Sequence, residues 1–279
     1  MPETFKIQLT ERDEKFQKYF TALAPSYAHL TSNTTRLVAS AALDLISLPT
    51  DADAIIHDNA CGPGTATKAL ITKYQTQNSP IPKIIATDYT PAMISAFESN
   101  NAKVTARIAD SQSLPFSDET FALSICNISV ANFNSAELAL EEIHRTLKPD
   151  GIAVVTNWKV FGLADAIAEA RTKMFGVQGS SPEVAGEEFM KEGFIAEKMV
   201  EAGFEEGKVR TESVRVVASE KEDLKGAVQF LTGGFVPIVA NLDGSEKGRW
   251  KECVEEVLEE RKQRDGGIVC EAWVVIAKK

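Results

Sequence analysis

The sequence is poor in the residues that build metal and redox centres. Among 279 residues there are three histidines and four cysteines. The cysteines stand at 61, 126, 253 and 270 with no C-x-x-C pair, which argues against zinc and dithiol redox sites. His29, His57 and His144 make no H-x-x-x-H pattern, so no metal is expected. A chain of this length can build a core without disulfides, and free buried thiols are the expectation. No apolar run approaches the ~18 residues of a membrane span. The first ten residues mix Glu3, Lys6 and Gln8 with single apolar side chains, so no signal peptide is expected. Positive charge is scarce as well: 30 Lys+Arg stand against 40 Asp+Glu, a net charge of −10. That balance disfavours nucleic-acid partners and anionic membrane surfaces, both of which need a basic face. A cytoplasmic protein in a reducing compartment follows as the expectation.

What is present is an alternation of short apolar runs with amphipathic stretches. Residues 12–46 read as two helices broken at Ala24-Pro25-Ser26-Tyr27. The strand-like runs are 54–60, 81–86, 104–108, 121–126 and 152–156, with helical stretches at 65–75, after Pro91 and at 137–147. Thr90 suits a helix N-cap and Pro91 the first turn. Lys148-Pro149-Asp150-Gly151 reads as a turn. Beyond Trp158, helices are expected at 162–176, 194–202, 221–231 and 245–263, and strands at 209–217 and 268–277. This spacing predicts a parallel, doubly wound α/β sheet. The expected organisation is one domain over 1–279. An N-terminal helical cap covers 1–50, a ligand-binding half 51–160, and pocket additions with the last strands 161–279. Gly176–Gly186 and Gly233–Gly244 are the expected mobile loops.

One constellation carries chemistry. Asp58-Asn59-Ala60-Cys61-Gly62-Pro63-Gly64-Thr65 places a glycine turn between a strand and a helix. Gly62 and Gly64 permit close backbone approach to a ligand, and the helix aims free N–H groups there. Asp88 ends the next strand-like run, where a carboxylate can accept both hydroxyls of a ribose. Asp110, after the third run, can accept from an adenine amino group. The third glycine of a dinucleotide fingerprint is replaced by Thr67, no P-loop occurs, and no Lys or Arg stands in the turn. These features together predict an adenosine-bearing ligand without phosphates.

The runs D-N-A-C-G-P-G-T (58–65), A-T-D-Y-T-P-A-M (86–93), A-D-S-Q-S-L-P-F (109–116) and L-K-P-D-G (147–151) resemble class I S-adenosylmethionine-dependent methyltransferases. The likeness is to domains of the methyltransferase 11/25 type, including the ubiquinone/menaquinone-biosynthesis and small-molecule subgroup. It covers roughly residues 15–160. The resemblance implies a Rossmann-like, seven-stranded, mostly parallel sheet with an antiparallel last strand and helices on both faces. It implies S-adenosylmethionine as cofactor and a small-molecule acceptor, with a monomer slightly favoured. By residue, it implies Asp58, Ala60 and Gly62 along the methionine part, with Gly64 completing the turn. Asp88 falls on the ribose, Tyr89 and Met93 on the faces of adenine, Asp110 and Ser111 on its edge, and Asn127 on the methionyl group.

Length and layout resemble fungal secondary-metabolite methyltransferases, including those that S-methylate dithiols of the gliotoxin type. A thiol is therefore the first acceptor class considered. It also loses its proton most easily, at an ordinary pKa of about 8.5. An O-methyltransferase acting on a polyketide or quinol and a protein-directed LaeA-like regulator are the competing readings, and a cofactor-binding protein without catalysis a third. The catalytic residue is open, with Tyr27, His29 and Trp158 as candidates. His57 and His144 read as structural, and Cys61 as a small turn residue without a basic partner. Tyr19, Phe20 and Tyr27 could form a lid, while Phe175, Phe235 and Pro237 could wall an apolar pocket.

Overall fold

The computed structural model describes residues 11–31, 33–97, 103–176, 186–233, 242 and 246–279. Phe235 and Pro237 lie outside them. Seven strands form one sheet: β1 (Ile55–Asn59), β2 (Lys83–Asp88), β3 (Val104–Ile108), β4 (Phe121–Asn127), β5 (Leu147–Val160), β6 (Val209–Ala218) and β7 (Ile268–Lys278). Their order is β3-β2-β1-β4-β5-β7-β6, with β7 antiparallel to both its neighbours. The sheet is therefore Rossmann-like, six strands running one way and the last the other. The order reverses at β1, so the carboxyl ends of β1 and β4 flank the crevice where open α/β sheets bind ligands.

Alternate strand residues feed two cores. Leu123, Ile125 and Val154 face one side, together with Val274. Cys126, Ala153, Val155 and Val275 face the other. On the first side pack α3 (Thr34–Leu43), α4 (Thr65–Thr76), α7 (Gly162–Phe175), α9 (Lys221–Thr232) and α10 (Lys247–Asp265). On the second pack α6 (Ala136–Thr146) and α8 (Phe194–Glu201). The remaining helices are α1 (Glu11–Leu23), α2 (Tyr27–Leu30) and α5 (Pro91–Ala96). At the start of α6 the Ser135 hydroxyl accepts from Leu138 N at 3.2 Å, which satisfies one orphan helix donor. Leu140 and Ile143 then bury the helix's apolar stripe.

Several local expectations change. Among its described residues the cap contains three α-helices, because α1 runs into a 3-10 turn at Ala24–Ser26 and a separate short α2. The turn expected at 148–151 lies inside β5, where pairing jumps from Phe121↔Leu147 to Leu123↔Ile152. Asp150 there has φ +65°, so the turn chemistry is real but the strand resumes on either side. Trp158 consequently sits within β5, opposite Ala272, and does not follow it. Phe175 is exposed at the end of α7 and lines none of the cavities described below. His57 is fully buried, stacked on Phe121 at 4.6 Å with its Nε2 2.9 Å from Thr87 Oγ1. Burial, with Arg107 nearby, pulls its pKa down to about 3, so the ring is neutral and structural.

Candidate functional site

The turn after β1 is built on strained backbone. Ala60 has φ +53° and Gly62 φ +53°, and Cys61 N reaches across to donate to Thr87 O at 2.9 Å. Gly64 has φ +88°, and a Cβ on it would lie 2.7 Å from the Phe97 ring. Glycine is required there by both conformation and space. At the end of β4, Ile128 has φ +55°, an outlier for a β-branched residue. Its N–H lies 2.9 Å from Thr156 Oγ1 and 3.1 Å from Thr156 O, which locks the conformation. Such strain, held in place by neighbours, concentrates at ligand sites.

These two strand ends open onto a cavity. Of the residues singled out by sequence, Ala60, Gly62, Asp88, Tyr89, Met93 and Asn127 line it. Each Asp88 oxygen accepts one backbone N–H: Oδ2 from Gly62 at 2.9 Å and Oδ1 from Thr90 at 2.8 Å. A carboxylate has about four lone-pair directions, so acceptor capacity remains for a ligand's hydroxyls. Burial pushes the Asp88 pKa up, against the pull of the same backbone N–H groups. Asn127 is fixed at both ends. Its Nδ2 donates to Thr35 O at 3.0 Å and its Oδ1 accepts from Thr156 at 2.9 Å.

Four of the expected residues lie outside the cavity lining. Asp58 is 1% exposed and turned into the helix. Its Oδ2 accepts from Thr67 N at 2.9 Å and Thr67 Oγ1 at 2.6 Å. It thus caps α4 from behind the turn. Gly64 is covered by Phe97. Asp110 Oδ1 is occupied by Gln112 N and Nε2, and the Ser111 hydroxyl donates to Asn59 Oδ1 at 2.7 Å. Burial raises the Asp58 pKa from 3.8 to about 7, outweighing the two Thr67 bonds. An acid with a raised folded pKa binds more protons folded than unfolded across that window. Stability therefore falls as pH rises from about 4 to 7, by about 4 kcal/mol at 1.36 kcal/mol per unit. Asp58→Asn should flatten that slope in pH-dependent denaturation. An unchanged slope would show that Asp58 titrates normally.

A second cavity of about 240 Å³ adjoins the first. Phe20, Tyr27, Thr35, Ile128 and Asn132 line both. Its other walls carry Tyr19, Trp158, Phe161 and Phe230, with Trp158 stacked on Phe161 at 4.9 Å. The described lining contains no Asp, Glu, Lys, Arg, His or Cys. His29 is absent from both linings, and its Nε2 lies 3.0 Å from Gln229 Oε1, on the contact between α2 and α9. Of the catalytic candidates, the structure therefore brings Tyr27 and Trp158 to the site and leaves His29 outside. Burial, with Tyr19 and Asp88 nearby, drives the Tyr27 phenol well above its ordinary range, so it stays protonated. Cys61 lines the first cavity, but burial and two carboxylates push its thiol well up, away from thiolate chemistry. Sequence reading missed Thr35, Ile128, Asn132 and Phe230. No local pattern marks them, because they join the site only through packing.

Residues 57–155 match the family model for a methyltransferase domain. The mouse mitochondrial arginine-hydroxylase NDUFAF5 is 32% identical over 126 residues, covering 43% of this chain and 36% of that protein. The match thus spans about a third of the curated relative. Among solved structures, the chain resembles a putative methyltransferase from an antibiotic biosynthesis pathway of Anabaena variabilis. That likeness has a TM-score of 0.57 at 14% identity, covering 86% and 96% of the two chains. It also resembles Haemonchus contortus phosphoethanolamine N-methyltransferase 2, solved with S-adenosylmethionine. There the TM-score is 0.50 at 14% identity, covering 87% of this chain and 52% of that one. Residues 57–155 thus match a methyltransferase domain, and S-adenosylmethionine, bound in the Haemonchus enzyme, is the cofactor to test against this site.

The first cavity fits that cofactor on its own chemistry. Asp88 offers unspent acceptor capacity to a ribose, and Met93 and Tyr89 offer apolar faces to a ring. Thr90 Oγ1, 1% exposed as a residue, has no partner among the described residues. Among the described residues no Lys or Arg lines the cavity, which suits a nucleoside without phosphates. No helix among the described residues is long and apolar enough to cross a membrane.

Proposed function

We propose that the chain transfers the S-adenosylmethionine methyl group to a small, uncharged, largely apolar acceptor. Ala60, Gly62, Asp88, Tyr89, Met93 and Asn127 would hold the cofactor, and the aromatic chamber would hold the acceptor. The observation that carries this reading is the chamber itself: it shares Tyr27, Thr35 and Ile128 with the cofactor cavity and, among the described residues, bears no ionisable carboxylate or amine. Bound there, the cofactor supplies a methyl group already activated by its sulfonium. The protein's own residues then have three tasks: orientation, exclusion of water and stacking against the acceptor. Trp158 and Phe161 supply a flat apolar wall, and Tyr27 closes the junction without offering a base.

A thiol acceptor fits best, because a thiol can give up its proton to water at neutral pH without a protein base. A phenol or quinol is the second acceptor class, since its higher pKa calls for a base that the described lining does not hold. A chamber walled by rings suits a metabolite better than a polypeptide, which favours a secondary-metabolite enzyme over a protein-directed regulator. The curated relatives carry a hydroxylase name, so the reaction itself must be tested. Tritium transfer from methyl-labelled S-adenosylmethionine should appear in aromatic thiols first, then in phenols. Label found only in peptides would overturn the small-molecule reading. The four cysteines are free and buried, in keeping with a cytoplasmic setting. We also propose one domain throughout, residues 1–50 serving as cap and 161–279 shaping the acceptor side.

A further inference from the structure

Three threonines stand close together on the cap, and two of them spend their hydroxyls locally. Thr31 Oγ1 donates to Tyr27 O at 2.8 Å, and Thr34 Oγ1 donates to Thr31 O at 2.7 Å. This is the usual fate of a threonine hydroxyl near helical backbone. Thr35, in the first turn of α3, breaks the pattern. It is 3% exposed, and its Oγ1 is buried with no hydrogen-bond partner among the described residues. Leaving a buried hydroxyl unpaired forfeits its hydration, so such a group calls for an explanation.

Position supplies one. Thr35 lines both cavities and therefore stands where they meet. Its backbone is held firmly, because Thr35 O accepts from Asn127 Nδ2 and Asn127 is itself anchored by Thr156. Among the described residues of the acceptor chamber, no charged side chain competes for a polar ligand atom. The described chamber lining is thus uncharged and largely aromatic, and Thr35, with its unpaired hydroxyl, stands on the wall that the two cavities share.

We propose that Thr35 Oγ1 is the acceptor-binding hydroxyl: it hydrogen-bonds the nucleophilic atom of the incoming molecule and sets that atom at the junction. This rests on the assignment of the aromatic chamber to the acceptor. A hydroxyl both donates and accepts, so it can take an S–H or O–H before the proton leaves to solvent and donate to the anion afterwards. It requires an acceptor that is an aromatic or alicyclic body carrying one thiol or hydroxyl at its cofactor-facing end. Acids and protonated amines are disfavoured, because nothing in the described lining balances their charge.

The test compares Thr35→Val, which keeps the shape and removes the hydroxyl, with Thr35→Ser, which keeps the hydroxyl. Methyl transfer to 1-naphthalenethiol and 2-naphthol is followed, with S-adenosylhomocysteine affinity measured by calorimetry. The valine variant should fold with an unchanged or higher Tm, since it loses an unpaired buried hydroxyl. Its S-adenosylhomocysteine affinity should stay within about twofold. Its kcat/KM for the wild-type's preferred probe should fall about tenfold, the ratio expected for one neutral hydrogen bond. Serine should restore most of that loss. A fall in S-adenosylhomocysteine affinity in T35V with equal loss for all probes would overturn the proposal and give the hydroxyl to the cofactor. Wild-type turnover with no effect in T35V would overturn it too. Neither binding nor turnover of these probes by the wild-type protein would instead remove the chamber assignment, and this proposal with it.

Discussion

Asp88→Ala removes S-adenosylhomocysteine binding, lowering affinity by more than about a hundredfold in calorimetry. Two charge-assisted hydrogen bonds to a ribose are worth roughly 1.5–3 kcal/mol each, and among the described residues no other carboxylate lines the cofactor cavity. The same substitution frees the N–H groups of Gly62 and Thr90, so the turn after β1 and the start of α5 loosen together. Tm should therefore drop, with cooperative unfolding and far-UV circular dichroism preserved. Asp88→Asn should fall between the two, because an amide keeps one acceptor oxygen and turns the other position into a donor. Wild-type affinity in a folded D88A protein would sink the ribose assignment and, with it, the placement of the cofactor.

Gly226→Ala should be among the most damaging single changes where α9 meets the cap. Alanine in a helix interior is ordinarily favoured over glycine by about 1 kcal/mol. On α9, however, a Cβ at 226 would lie 1.8 Å from His29 O and 2.7 Å from His29 C, on the backbone of α2. A backbone carbonyl cannot rotate out of the way, so the two helices must separate. That displaces Tyr27 on one side of the acceptor chamber and Phe230 on the other. Strain of this kind costs roughly 1–3 kcal/mol or more, and acceptor turnover should fall further than S-adenosylhomocysteine affinity. Gly248→Ala is the matched control: it also lies in a helix, α10, with nothing within 4 Å of the added methyl. It should leave Tm equal or slightly higher. A G226A protein as stable as G248A would mean that α2 and α9 are not held together as described.

The cofactor half was legible because its signals are local. Strand, glycine turn and helix follow one another at 55–76, and the acid at the tip of β2 falls where the chain order puts it. Even there, residue type and residue role came apart. Asp58 has the right chemistry for a cofactor contact, but the geometry of β1 aims it at Thr67, where it caps α4. The turn at 148–151 was recognised by composition, yet the two flanking strands pair past it, so it survives as a bulge in β5. His29 looked available as a base because nothing in the sequence shows that Gln229, 200 residues away, meets its ring.

By itself, the sequence determined the class of sheet and the order of its ligand-bearing strand ends. Each of these follows from residue type at short spacing, which backbone periodicity and turn chemistry translate directly into structure. Only the tertiary structure decided what lines the chamber beside the first cavity. Thr35 comes from the cap, Ile128 from the end of β4, Trp158 from within β5 and Phe230 from α9. They converge because the cap helices and the late helices bury their apolar faces on the same side of one sheet. That packing leaves a ring-lined chamber beside a threonine whose buried hydroxyl has no partner among the described residues. No short stretch of sequence encodes such a feature, because each wall contributes a side chain that looks like ordinary core.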